Sequence, residues 1–170
     1  YQELGQFDEA EGQYDAAIRL DPDYPDAPWN KSLLLLLRSR FSEAWPLYEM
    51  RWKRNDAPIS KEHPAPIWLG EHPIAGKKIF LQCEQGLGDT IHFCRYAMEL
   101  AKRGAKVVLE AQPALMRLLS SLEGVESIVV EGSNPVTDFR VPMLSLPLAF
   151  KTALESIPAQ SRYLSEIGRA

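Results

Sequence analysis

The stretch Ile79–Tyr96, IFLQCEQGLGDTIHFCRY, decides the fold of this chain. Its first five residues, Ile79–Cys83, form a short apolar run between polar and turn residues, which predicts a buried strand. Two glycines, Gly86 and Gly88, follow the strand. Residues at helical spacing then share one apolar face: Ile91, Cys94, Met98 and Ala101. Strand, glycine turn and helix in this order are typical of the carboxyl-terminal edge of a parallel sheet, where ligands of α/β proteins bind.

The glycine turn matches neither common phosphate-binding motif. Ile91 occupies the place of the third glycine of GxGxxG, and no Gly-Lys-Ser/Thr follows as in a P-loop. Asp89 stands at or next to the first helical residue, which leaves two interpretations open. It caps the helix by accepting backbone N–H groups, or it is a carboxylate held at a site as a general base.

Composition excludes several classes of function. The 170 residues carry a formal charge of −4, which argues against general binding to nucleic acid or anionic membranes. The longest apolar run, Leu33–Leu37, is too short to span a bilayer, so we expect a cytoplasmic protein without a membrane span. Cys83 and Cys94 are expected to be buried, reduced thiols. None of the three histidines has a ligand-like partner four residues on, so we expect no metal.

Residues 1–53 contain an internal repeat. Phe7, Ala10 and Tyr14 recur 34 residues later as Phe41, Ala44 and Tyr48. The period and the residue types resemble the tetratricopeptide (TPR) family, in which small residues let two helices cross closely. Two further residues complete the pattern, a small residue at the crossing and a helix-stopping proline: Ala17 and Pro22. We expect the repeated residues and Ala17 to form one helical core.

The second repeat departs from the family pattern. Ser39 replaces a turn glycine and Arg51 replaces a small residue. The run Leu33–Leu37 predicts a helix that is buried on both sides, and Pro46 fits if the next helix begins near Ser42. Because the first repeat lacks most of its first helix, we expect further repeats before residue 1 in the natural protein.

The remaining chain predicts a linker and then βα units. Residues 54–76 are rich in proline, and Trp68 and Leu69 are expected to pin this linker by hydrophobic contact. Residues 77–170 alternate strands and helices, which implies a parallel sheet. The expected strands are Ile79–Cys83, Lys106–Ala111, Ser127–Val130 and Asp138–Val141, and the later helices are Pro113–Leu122 and Leu144–Leu154.

Four motifs of the chain resemble the bacterial family of TPR-containing glycosyltransferases. They are WPLYEMRW (45–52), EQGLGDTIHFCRY (84–96), RGAKV (103–107) and LSLPL (144–148). The resemblance covers essentially the whole chain. It implies an α-helical TPR segment followed by an α/β Rossmann-like parallel sheet, the N-terminal lobe of a GT-B glycosyltransferase. The central turn is also similar to the Gly-Asp-x-x-His turn of heptosyltransferases.

The resemblance assigns expected roles to the central turn. Asp89 would be the catalytic base, with His92 beside it to orient the acceptor or relay a proton. His92 and Tyr96 are expected on the same polar flank as Asp89, although His92 also fits a surface histidine. The expected substrate-binding residues are Glu84, Gln85, Gly86, Leu87, Gly88 and Arg95. The alternatives are loop polar residues for Glu84 and Gln85, and a solvated or ion-paired side chain for Arg95.

The resemblance also implies the substrates and partners. A nucleotide sugar would be the donor substrate, no cofactor would be needed, and a missing second lobe would hold most of the donor site. We therefore expect this segment to be inactive alone, with a protein partner or acceptor on the TPR helices. Two other hypotheses remain: a TPR interaction scaffold with a non-catalytic α/β unit, or a phosphate or nucleotide binder using Gly86–Gly88 alone.

Overall fold

The computed structural model describes residues 1–54, 63–160 and 162–165. The chain divides into two compact units, Tyr1–Pro58 with Lys151–Ile157, and Ile59–Phe150 with Pro158–Ala170. The helices described in the first unit and the sheet with helices in the second confirm the expected combination of a helical segment and an α/β segment. None of the helices described is both long and apolar enough to cross a lipid bilayer.

Three helices are described in the first unit. They are α1 (Phe7–Leu20), α2 (Asp26–Leu37) and α3 (Phe41–Tyr48). Helix α2 packs against both α1 and α3. Short 3-10 turns precede α1 at Gln2–Leu4, follow α3 at Glu49–Lys53, and recur at Leu154–Ser156.

The backbone repeats together with the sequence. Helices α1 and α3 begin at residues 34 positions apart, Phe7 and Phe41. Two residues before each helix the backbone is left-handed, with φ of 73° at Gly5 and 58° at Ser39. Serine adopts this conformation at a cost that glycine avoids. The recurrence is therefore one of turn geometry as well as residue type.

Among the residues of the predicted helical core, Ala10 and Ala44 are the most buried. Ala10 is 4% exposed and Ala44 is fully buried, whereas the other five predicted members are half-buried: Phe7, Tyr14, Ala17, Phe41 and Tyr48. Phe41 stacks on Trp45 with ring centroids 5.7 Å apart. Small residues thus mark the buried positions of the repeat, and aromatic rings flank them.

Two expectations for this unit are wrong. Leu34 and Leu35 are buried, but Leu37 is 62% exposed, so α2 is not buried on both sides. Helix α3 begins at Phe41, which puts Pro46 inside the helix rather than in its first turn. A proline there has no N–H for the helical hydrogen bond. The helix accordingly ends two residues later, at Tyr48, and passes into a 3-10 turn.

The second unit contains a four-stranded parallel sheet. Its strands are β1 (Lys78–Gln82), β2 (Lys106–Ala111), β3 (Val125–Val130) and β4 (Phe139–Pro142). Their order across the sheet is β3-β2-β1-β4, and every pair is parallel. The expected interior, parallel position of the first strand is confirmed. Its residues Ile79, Phe80 and Leu81 are fully buried.

The helices of this unit are shorter than expected. They are α4 (Leu87–Phe93), α5 (Tyr96–Lys102), α6 (Met116–Leu119) and α7 (Leu146–Ala149), with 3-10 turns at Pro113–Leu115 and Met143–Ser145. The helix predicted after the glycine turn breaks at Cys94, whose carbonyl bonds the Ala97 N–H three residues on. The predicted helix Leu144–Leu154 ends at Ala149, because Lys151 has a left-handed φ of 51°.

Part of the predicted linker packs into the second unit. Ile67 pairs with Arg140 of β4, and Trp68 is 1% exposed. The Trp68 indole N–H donates to the His72 carbonyl at 2.9 Å, and its ring meets Phe150 edge-on. This burial supports hydrophobic pinning at Trp68. Residues 55–62 of the predicted linker lie outside the described residues.

The buried alanines give a direct test of the repeat. Ala10→Trp should lower the free energy of unfolding by about 1–3 kcal/mol, because a large ring has no room at a 4% exposed position. Gln13→Trp is the matched control, since Gln13 is exposed on the same helix. Urea unfolding of both variants measures the difference. Equal stability of the two variants would contradict close packing at Ala10.

Candidate functional site

The carboxyl ends of β1 and β4 form the candidate site. Strand β2 lies next to β1, and β3 lies next to β2. The chain then crosses back, so that β4 pairs with the opposite edge of β1. The strand order therefore reverses between β1 and β4, and α4 packs against the 3-10 turn that follows β4. In open α/β sheets ligands bind outside the carboxyl ends of the strands at such a reversal.

Glu84 joins the loops that follow these two strands. Its side chain is 3% exposed, and Oε1 accepts the Leu144 N–H at 2.8 Å. The sequence placed Glu84 on the rim as a sugar-binding residue or a loop polar residue. The structure places it below the rim, where it holds the β1 loop to the β4 loop.

Glu110 is a second buried carboxylate at this edge, near the end of β2. It is 6% exposed. Oε2 accepts the Cys83 N–H at 3.2 Å and lies 3.5 Å from the Cys83 sulfur, and Oε1 accepts the Gly132 N–H at 2.9 Å. Burial raises the pKa of Glu110, against the effect of its N–H donors. Sequence reasoning missed this residue; its signal is a single acidic residue in the apolar run VVLEA.

The turn between β1 and α4 is exposed. Gln85 has a left-handed φ of 57°, and Gly86 is the extended N-cap residue of α4. Leu87 is 46% exposed. A Cβ placed on Gly88 would meet no atom within 4 Å, and one on Gly86 would meet only the Asp89 carboxylate at 3.5 Å. Neither glycine is therefore required by packing against its neighbours.

Asp89 is the third residue of α4 and is half-buried. Its Oδ2 accepts the Gly86 N–H at 3.0 Å. This is the return half of a capping box, in which a side chain on the third helical residue satisfies the N-cap backbone. Oδ1 has no hydrogen-bond partner among the described residues. The capping role and an available carboxylate oxygen are therefore compatible in the same side chain.

His92 lies one helical turn after Asp89. It is exposed, and its ring meets Phe93 edge-on with centroids 4.9 Å apart. Desolvation is the main cause that lowers the pKa of His92, the Arg95 charge lowers it further, and the Asp89 charge opposes both. The imidazole is therefore neutral at pH 7 and able to donate or accept one proton.

Arg95 is turned toward the end of the described chain. Its Nη1 donates to the Pro158 carbonyl at 2.9 Å, Nη2 to the Tyr163 hydroxyl at 3.1 Å, and Nε to the His92 carbonyl at 2.7 Å. The guanidinium also lies over the Tyr163 ring at 4.6 Å. Arg95 thus joins Pro158 and Tyr163 to the start of α5. These contacts leave it paired with protein groups.

Tyr96 does not lie on the polar flank of α4, where the sequence analysis placed it. The chain turns at Cys94 and Arg95, so the helical wheel drawn from α4 does not extend to Tyr96. Tyr96 is 4% exposed and packs on Phe150 with ring centroids 5.5 Å apart. The flank described by the structure therefore consists of Asp89 and His92.

The two cysteines are free and buried, as expected. Burial and then the Glu110 charge raise the pKa of the Cys83 thiol, and burial raises the pKa of Cys94 to about 12. Neither thiol is a thiolate at neutral pH, so neither is a ready nucleophile. Within residues 1–54, 63–160 and 162–165, no three His, Cys, Asp or Glu side chains cluster as metal ligands.

Comparison with known proteins gives one partial similarity. No protein-family model matches the chain, and no solved structure matches it. The chain is similar to Protein FlbA of Caulobacter vibrioides, with 29% identity over 106 residues. These residues make up 59% of this chain and 17% of FlbA, so the chain spans a small part of that relative's length.

The buried carboxylate of Glu110 predicts a pH-dependent stability. Its pKa in the folded protein lies above the ordinary value, so its contribution to folding is largest below the ordinary value and is lost as pH rises through the raised pKa. Glu110→Gln should remove this slope. It should also cost roughly 1–3 kcal/mol at pH 7, because one amide oxygen cannot accept both N–H groups.

Chemical unfolding between pH 4 and pH 8 measures both effects. Glu126→Gln is the control, because Glu126 is exposed on β3. If Glu110→Gln keeps the wild-type pH profile and stability, the two hydrogen bonds of Glu110 do not hold the loops in solution.

Proposed function

We propose that the chain carries the acceptor-side lobe of a GT-B glycosyltransferase, preceded by TPR helices, with Asp89 as general base. One observation carries the proposal. The Asp89 carboxylate is fixed by one oxygen to the Gly86 N–H at 3.0 Å, while its other oxygen has no partner among the described residues. A base must be held in place and still have a free lone pair for the proton.

The proposed reaction requires one proton transfer to this chain. The acceptor O–H gives its proton to Asp89 Oδ1, and its oxygen bonds to the anomeric carbon of the nucleotide sugar. The bond from that carbon to the diphosphate breaks, and the electron pair leaves with the diphosphate. The donor would be bound mainly by a second lobe, so the role of the present residues is to orient and deprotonate the acceptor.

His92 fits a supporting role in this step. Because the pKa of His92 is lowered, the imidazole is neutral and places no positive charge beside the Asp89 carboxylate. A neutral imidazole one turn from Asp89 can accept a hydrogen bond from an acceptor hydroxyl or donate one to it. We therefore assign His92 to orientation of the acceptor.

The exposed turn supports binding of substrate close to the backbone. The N–H groups of the first helical residues have no partner within the helix. At Gly88 no atom lies within 4 Å of the position that a Cβ would take. Because glycine has no side chain, a ligand can approach the backbone more closely at Gly88 than it could if another residue stood there. This is the property that the proposal assigns to Gly86, Leu87 and Gly88.

The helical unit supports an interaction role beside or instead of catalysis. An open groove of about 530 Å³ runs along α1 and α2. Its lining mixes aromatic, polar and charged side chains: Tyr14, Ala17, Tyr24, Asp26, Ala27, Trp29, Asn30 and Arg54. The Arg54 guanidinium lies 4.1 Å from the centre of the Trp29 ring and pairs with Asp26. We propose that this groove binds a segment of a partner protein.

Asp89→Asn separates the two roles of the carboxylate. Asparagine keeps an oxygen for the Gly86 N–H but is not a base. In the whole natural protein, turnover should fall by about 10²–10⁴-fold, which corresponds to roughly 3–5 kcal/mol. Release of nucleoside diphosphate from a panel of nucleotide sugars measures turnover, and a melting curve should stay near that of the wild type.

Two further variants make the result decisive. Glu123→Gln, at an exposed carboxylate, should keep wild-type turnover. Gly88→Ala should keep or raise stability, because alanine suits a helix and its Cβ meets nothing, yet it should weaken substrate use if substrate lies on the backbone. Wild-type turnover in Asp89→Asn would show that Asp89 only caps the helix, and would favour the interaction scaffold.

A further inference from the structure

Arg140 is a buried cation in the middle of β4. It is 8% exposed and lies opposite Phe80 of β1 in the parallel register. Its backbone is fully engaged, since its N–H donates to the Pro66 carbonyl at 2.9 Å and its carbonyl accepts the Trp68 N–H at 2.9 Å. The backbone from which the side chain starts is therefore fixed by one neighbouring segment, residues 66–68.

The guanidinium has no anionic partner among the described residues. Its Nε donates to the Ala65 carbonyl at 3.2 Å, and its Nη1 donates to the Gln82 side-chain oxygen at 3.0 Å. Both acceptors are neutral, and Nη2 has no hydrogen bond there. Desolvation lowers the pKa of Arg140. A buried charge that is paired only with neutral groups carries a desolvation penalty that no opposite charge offsets.

His63 adds a second open donor on the same face of the sheet. Its ring lies 5.1 Å from the Phe80 ring, and its Nδ1 accepts the Ala65 N–H at 3.1 Å. The ring proton of the neutral imidazole is therefore on Nε2. That atom is buried and makes no hydrogen bond of normal geometry.

The protonation of His63 responds to the same charge. Burial is the largest cause that lowers the pKa of His63, the Arg140 charge lowers it further, and the Pro135 carbonyl opposes both. His63 therefore does not supply a compensating charge. The face keeps one positive charge and two donor nitrogens, Arg140 Nη2 and His63 Nε2. Neither nitrogen makes a hydrogen bond of normal geometry with the described residues, although the Pro135 carbonyl interacts with His63.

We propose that Arg140 and His63 form a binding subsite for a small oxyanion, the phosphate or carboxylate group of a ligand or the free ion. An oxyanion would offset the buried charge and accept from the free edge of the guanidinium, which suits two-point recognition of such groups. Arg140 is 8% exposed, so it is not wholly sealed from solvent. The proposal does not depend on Asp89 or on glycosyl transfer.

Binding at this subsite has two measurable consequences. An anion that binds only the folded protein raises the melting temperature, and the rise follows a saturation curve. An anion beside His63 also favours its protonated form, so the midpoint of its imidazole titration moves to higher pH.

The experiment compares wild type with Arg140→Gln, Arg140→Lys and Arg19→Gln. Each is melted in sodium phosphate, phenyl phosphate or sodium acetate, against sodium chloride at equal ionic strength. Wild type and Arg19→Gln, at an exposed arginine of α1, should show a saturable rise. Arg140→Gln should show none, and Arg140→Lys a weaker one. A response to phenyl phosphate would indicate an anionic group of a larger ligand, and a response to phosphate alone a free ion.

Titration of the His63 imidazole by NMR in wild type gives an independent readout if Arg140→Gln does not fold. Its midpoint should move to higher pH in phosphate or acetate relative to chloride. The proposal is overturned if no anion gives a saturable rise in wild type, if Arg140→Gln responds like wild type, or if the His63 midpoint is unchanged in every anion.

Discussion

The carboxyl-terminal edge of the sheet depends on two buried carboxylates. Three of the loops that leave this edge, those after β1, β3 and β4, each have a backbone N–H that no strand partner satisfies. Glu110 accepts the N–H groups of Cys83 and Gly132, and Glu84 accepts that of Leu144. Burying a carboxylate is costly, but hydrogen bonds from backbone donors offset that cost. The loops after β1, β3 and β4 are thereby held to one another.

This arrangement fixes the position of the exposed turn. Cys83 is the last residue before Glu84, and the turn to α4 begins immediately after it. Because the hydrogen bonds of Cys83 and Glu84 to the neighbouring loops fix both residues, the turn needs little further support. A Cβ on Gly88 would meet no atom within 4 Å, and one on Gly86 would meet only the Asp89 carboxylate. Asp89 closes the turn through the Gly86 N–H. An exposed turn that is held by buried, hydrogen-bonded residues can position its groups for binding or proton transfer.

The sequence was sufficient for the features that depend on local periodicity. The apolar run at Ile79, the glycine turn and the helical spacing after it are all read within a few residues, and the structure has the strand, turn and helix in that order. The 34-residue recurrence likewise matches the observed helix starts at Phe7 and Phe41, although the sequence analysis put the second start near Ser42. Parallel pairing followed from the alternation of strands and helices.

The features that failed depend on partners distant in the chain. Arg95 bonds residues 63 and 68 positions away, and Tyr96 is buried by Phe150. Periodicity carries no information about these contacts, so both were placed on the substrate side. Glu84 and Glu110 have their main partners 60 and 22–27 positions away, so their structural role needed the topology of the sheet. Arg140 needed it for the same reason.

Amide hydrogen exchange at the Cys83, Gly132 and Leu144 N–H groups tests the central claim most directly. If the two carboxylates hold the loops, these three amides should be protected to nearly the same degree as Phe80 and Leu81 in β1, although Gly132 lies in an exposed loop. The neighbouring Gly88 amide should exchange quickly. Exchange of the three amides at the rate of Gly88 would contradict the account.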